Sequence, residues 1–165
     1  MRYFEDFTKG DEYRLATVTV DRDEMVAFAR RFDPQPFHVD EEQAKESSFG
    51  ELIASGWFTG SLFMRMFVDE LLSDAASHGS PGVEELRWLR PVRAGDRLTG
   101  RVTVLDVWPS TRRDDRGTVL CQSELVNDDG EVVMSLRSRG MFGRRPTDDA
   151  SGRRPTDDAS GRRPI

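Results

Sequence analysis

The feature that most constrains this chain is a change of hydrophobic period at Ser80-Pro81-Gly82. Ahead of it, residues 56–72 carry Trp57, Phe58, Leu62, Phe63, Met66 and Leu71 among other apolar positions, spread nearly all round a helix. A helix apolar on most sides has to be buried on most sides. Beyond it the period is two. Residues 83–90, 96–108, 117–127 and 131–142 read as four strands, separated by 91–95, by the polar stretch 109–116 and by the turn Asn127-Asp128-Asp129-Gly130, where glycine suits a hairpin. In the last strand Met134, Leu136 and Ser138 alternate with Ser135, Arg137 and Arg139, as expected of a sheet with one face buried and one largely wet.

The first third of the chain adds a strand and two shorter helices. Residues 15–20 alternate. Residues 21–32 switch to helical spacing, with Met25, Phe28, Ala29 and Phe32 on one side. Asp21 and Glu24 form a capping-box pattern, and Pro34 ends the helix by forcing its predecessor out of the helical region. Asp40 and Gln43 predict the start of another helix over 41–47, with Gly50 just past it. One strand, short helices, a long apolar helix and four meandering strands predict a single α+β domain over 1–142. The simplest packing wraps the antiparallel sheet around the long helix, an arrangement known as a hot-dog fold.

Residues 143–165 stand apart. GRRPTDDAS occupies 143–151, repeats at 152–160 and begins again at Gly161. The repeats have no apolar face, so they are expected to be a disordered tail. The whole chain has 24 basic and 30 acidic residues, a net charge of −6, and removing the tail makes the body more acidic still. An acidic body argues against nucleic-acid binding. No run of 18 apolar residues suggests a membrane span, and the N-terminal MRYFEDFTKGDEYR has no apolar leader core. With one cysteine (Cys121) and two histidines (His38 and His78), an internal disulfide is excluded and a resident metal is not expected. A cytoplasmic protein is the default.

The chemistry concentrates in FDPQPFHVDEEQAKESSFGELIASGW, residues 32–57. Asp33 and His38 are a close carboxylate–imidazole pair outside a helix. Asp33 and Gln35 each precede a proline and are held extended, so the chain forms a stiff strut. A turn near Phe37 and Val39, at the approach to the Asp40 cap, would bring Asp33 and His38 to face one point. A water held there could exchange protons with both. Gly56 falls at the start of the apolar helix with Ser55 as N-cap. Its amide lies at the positive end of the helix and lacks an intrahelical partner. Such a donor suits an oxygen that gains negative charge, while packing clearance is the competing reason for a glycine.

The run Asp33-x-x-Pro36-x-His38-x-Asp40, then Ala44, Phe49-Gly50 and Ile53-Ala54-x-Gly56, resembles the signature of the MaoC-like dehydratases, relatives of the (R)-specific enoyl-CoA hydratases. The later Pro91-Val92-Arg93-Ala94-Gly95-Asp96 is similar to that family's strand-and-turn. The resemblance covers most of 1–142 and implies a hot-dog protein that works as a homodimer or larger assembly. It implies addition of water to trans-2-enoyl-CoA, or its removal from (R)-3-hydroxyacyl-CoA, with an acyl-CoA thioester as substrate and no metal or redox cofactor. It assigns Asp33 and His38 to acid–base catalysis and Gly56, next to Ser55, to binding of the thioester carbonyl.

Some positions depart from the commoner family pattern. Phe32 stands for glycine, Gln35 for asparagine, Ser55 for histidine, and Met64 for a serine found in some hydratases. Two alternatives therefore stand beside the hydratase: a thioesterase on the same scaffold, and a catalytically silent subunit that binds acyl-thioesters. Trp57, Trp88 and Cys121 are expected to be packing residues, and Arg87, Arg90 and Arg93 a solvated face.

Overall fold

The computed structural model describes residues 1–146. Strand β1 (Glu12–Thr19) is followed by helices α1 (Arg22–Phe32), α2 (Pro36–Val39), α3 (Glu41–Glu46) and α4 (Gly56–Glu70), then by strands β2 (Val83–Trp88), β3 (Arg97–Pro109), β4 (Arg116–Val126) and β5 (Val132–Gly143). The five strands make one antiparallel sheet in the order β1-β3-β4-β5-β2. The sheet packs on α4 in a hot-dog fold.

The local signals act as expected. Asp21 accepts the Glu24 amide at 2.9 Å, and Asp40 accepts the Gln43 amide at 2.9 Å. Strands β3, β4 and β5 form a meander. Strand β2 does not lie beside its successor β3. It pairs with β5, Leu86 opposite Leu136, at the far edge of the sheet. This corrects the expectation of a continuous four-strand meander: the turn at Pro91–Gly95 carries the chain from the β2 edge across to β3, which lies between β1 and β4.

The core lies between α4 and the inner face of the sheet. Phe58, Phe63 and Met66 meet Leu98, Val102 and Val104 of β3 and the inward residues of β4 and β5. The opposite side of α4 is not covered by the described residues, however. Trp57 is 60% exposed, Met64 47% and Val68 39%. Their spacing places them along one stripe of the helix. Trp57 is thus a surface residue of the single chain rather than part of its core.

The chain end departs slightly from the boundary expected at residue 143. Gly143 belongs to β5, Arg144 donates its amide to the Asp115 carbonyl at 2.8 Å, and Arg145 pairs with Asp6 at 2.6 Å. The rest of the tail, from Thr147, lies outside the described residues.

Candidate active site

The strut between α1 and α3 sets the geometry. Asp33 caps the C-terminus of α1, its amide bound to the Ala29 carbonyl at 2.8 Å. The strut is not extended throughout: Asp33 has ψ 65°, and the Gln35 amide donates back to the Asp33 carbonyl at 2.8 Å across Pro34. Gln35 is extended and leads into the single turn of α2, with Pro36 at its first position, where a missing N–H does no harm. The turn lies one residue earlier than the sequence suggests. It swings His38 back toward Asp33.

His38 is buried, and its Nδ1 lies 2.8 Å from the carbonyl oxygen of Ile53. A carbonyl only accepts, so Nδ1 carries the hydrogen and Nε2 is the nitrogen turned toward Asp33. Nε2 stands 3.4 Å from Oδ2 of Asp33. That oxygen also accepts the Ser55 hydroxyl at 2.7 Å, and Oδ1 accepts Nε2 of Gln35 at 2.8 Å. The Ser55 hydroxyl is the main reason the Asp33 carboxyl is held below the usual aspartate range. Partial burial opposes it, and Gln35 and the neighbouring His38 reinforce it.

Gly56 opens α4 beside this pair. Its N–H has no hydrogen-bond partner among the described residues. It lines a cavity of about 370 Å³ together with His38, Phe37, Ile53 and Thr59, closed on another side by Trp88. Trp88 donates its indole N–H to the Gly56 carbonyl at 2.8 Å, and the indole occupies the space a Cβ at position 56 would need. Packing clearance therefore explains the glycine, and its amide is left without a partner among the described residues.

Asp33 faces His38, and His38 lines the same cavity as Gly56, although Asp33 itself is not among the lining residues. Ser55 is the N-cap of α4, accepting the Trp57 amide at 3.2 Å, but it is fully buried and its hydroxyl hydrogen goes to Asp33. Ser55 does not line the cavity, and its hydroxyl contacts the Asp33 carboxylate. Met64 lies further along α4, at a second, apolar cavity of about 340 Å³ that Phe63, Phe67, Cys121 and Leu136 also line. Two contributors were missed in the sequence. The Ile53 carbonyl fixes the His38 tautomer but has no side-chain signature. Trp88 sits on an alternating strand, which identifies it only as a sheet residue.

A family model described as a MaoC-like domain matches residues 6–124. The chain belongs to the MaoC-like family. An uncharacterized protein of Bacillus subtilis, YdeM, is 30% identical over 139 residues, which is 81% of this chain and 97% of that protein. The (R)-specific enoyl-CoA hydratase of Rhodospirillum rubrum is 26% identical over 140 residues, 85% of this chain and 95% of that enzyme. The crystal structure of a MaoC-like dehydratase, also from Rhodospirillum rubrum, superposes with a TM-score of 0.82 at 43% identity, covering 89% of this chain and all of that one. In this MaoC-like chain, no described helix is long and apolar enough to cross a membrane. The described residues hold no cluster of three or more His, Cys, Asp or Glu side chains placed to bind a metal.

Proposed function

We propose that this MaoC-like protein is a cytoplasmic homodimeric hydratase that interconverts trans-2-enoyl-CoA and (R)-3-hydroxyacyl-CoA without a metal or redox cofactor. The observation that carries the reading is the single orientation open to His38. With Nδ1 tied to Ile53, Nε2 faces Asp33 at 3.4 Å, and His38 lines the same cavity as Gly56.

In the hydration direction, the Gly56 N–H and the positive end of α4 hold the thioester carbonyl oxygen, which gains negative charge as the enolate develops. A water placed against Nε2 of His38 and Oδ2 of Asp33 loses a proton to the pair, and its oxygen bonds to C3. The pair then supplies a proton to C2 as the enolate collapses. One O–H bond and the C2–C3 π bond break, C3–O and C2–H bonds form, and the site returns to its starting protonation state. Both groups face the water position, so base and acid are roles of the pair rather than of one residue. Dehydration is the same path reversed.

Crotonyl-CoA and longer trans-2-enoyl-CoAs test the assignment, with conjugated-thioester absorbance and free thiol followed together. Loss of absorbance without thiol supports the hydratase. Release of thiol identifies a thioesterase, and neither change across the series points to a silent binding subunit.

A further inference from the structure

Ser55 uses both capacities of its hydroxyl. It accepts the Trp57 amide at 3.2 Å and donates to Oδ2 of Asp33 at 2.7 Å. The same Oδ2 atom faces Nε2 of His38. The backbone of Ser55 is itself fixed: the amide of the preceding Ala54 donates to the Val92 carbonyl at 2.8 Å, and the Ser55 carbonyl accepts the Thr59 amide at 3.1 Å within α4. Gln35, the other side-chain donor to Asp33, is exposed and reaches the opposite oxygen. Ser55 is therefore the buried, immobile partner, and Gln35 the solvated one.

We propose that Ser55 is a positioning residue whose hydroxyl ties the catalytic oxygen of Asp33 to the first turn of α4, so that the acid–base pair and the Gly56 amide form one rigid unit. The proposal rests on the hydratase reading for its kinetic consequence, but the hold of Ser55 on Asp33 is measurable without turnover. The residues concerned end one helix and begin another, 22 positions apart. Among the described residues, no other buried side chain donates a hydrogen bond from the α4 terminus to the carboxylate. Reaction geometry is sensitive to shifts of about 1 Å, which cost on the order of a hundredfold in rate. A hydroxyl that donates also favours the ionised carboxylate, so its removal lets Asp33 take up a proton more easily.

The test uses the full chain with Ser55→Ala, Ser55→Gly and Ser55→Thr. Glycine is tolerated at an N-cap almost as well as serine, whereas alanine is not, so Ala and Gly share the loss of the hydroxyl but differ in capping. The Asp33 carboxyl is followed through pH by carbon NMR of aspartate-labelled protein, and kcat and KM on crotonyl-CoA are measured across the same range. The expected result is an upward shift of the Asp33 midpoint in Ala and Gly alike. With it, kcat falls roughly ten- to a hundredfold at little change in KM, the acid limb of the rate profile moves to higher pH, and Ser55→Thr restores these values. An unmoved Asp33 midpoint in Ala and Gly overturns the proposal, as does a defect in Ala that Gly repairs. A wild-type protein that turns over no enoyl-CoA removes the hydratase reading alone, since the titration still decides whether Ser55 holds Asp33.

Discussion

The indole N–H of Trp88 donates to the carbonyl of Gly56 at 2.8 Å, and its ring lies over the Gly56 Cα where a side chain would begin. One strand end is thereby locked onto one helix start, 32 residues apart. Gly56→Ala is expected to destabilise the protein by about 1–3 kcal/mol, the usual cost of forcing extra volume into a filled space. Its cost should shrink in a Trp88→Leu background, and denaturant midpoints of the four proteins measure this coupling. Equal costs in both backgrounds would show that the indole is not the obstacle.

Asp33→Asn and His38→Ala are each expected to lower kcat by roughly a hundred- to ten-thousandfold, the range of a positioned acid–base group. Their stabilities should differ. Asparagine preserves the shape at position 33, whereas His38→Ala deprives the Ile53 carbonyl of its buried donor, at a cost of about 1–3 kcal/mol. Steady-state kinetics with thermal unfolding checks both. Full activity in either variant sinks the mechanism.

The Asp33 carboxyl is held below the usual aspartate range by Ser55 first and Gln35 after it. A depressed folded-state value means that the carboxylate stabilises the fold at pH values above the unfolded-state value. That contribution fades as pH falls through the lower folded-state value. Wild type is therefore expected to lose stability relative to Asp33→Asn on acidification below about pH 4, with a constant difference above about pH 5. Urea unfolding at pH 7, 5 and 3 reads the trend, and a gap that widens in the opposite sense refutes it.

Sequence and structure agree where the determining interaction is local. Asp21 and Asp40 reach amides three residues ahead, so the caps of α1 and α3 are written in adjacent letters. Alternation over β3 to β5 likewise reports which face is buried. The place of β2 depends on Leu86 meeting Leu136, and nothing in the period of a strand names its partner. At the site, Asp33 and His38 are legible because two prolines stiffen the five-residue link. The Ser55 bond to Asp33 and the Trp88 cover on Gly56 cross 22 and 32 residues and exist only after α4 docks. Apolarity all round α4 also cannot separate contacts within the chain from a face left open at its surface.

Cys121 lies in β4 among core residues, and burial pushes its thiol up to about 11. The thiolate is the reactive form, so the native protein is expected to resist alkylation at neutral pH and to react after unfolding. Mass spectrometry after iodoacetamide treatment with and without urea checks this. Rapid native labelling would contradict the packing described. A silent Cys121 also means that thiol appearing in the enoyl-CoA assay comes from the substrate.

Among the described residues, Trp57, Met64 and Val68 leave an apolar stripe open on α4, and β2 pairs only with β5, which leaves its other edge without a partner strand. Exposed apolar stripes and unpaired strand edges both favour association. A second copy of the chain is expected to cover them, giving the homodimer of the proposed function. Sedimentation of the full chain should then report twice the chain mass. Glutamate at position 68 would place a charge in that contact without touching the acid–base pair, because Val68 sits three turns beyond Gly56 on the exposed side. Val68→Glu is expected to weaken the dimer at least roughly tenfold, in line with the cost of an unpaired charge in a desolvated contact. Wild type sedimenting as a monomer, or Val68→Glu dimerising as tightly as wild type, would leave the α4 stripe without this partner.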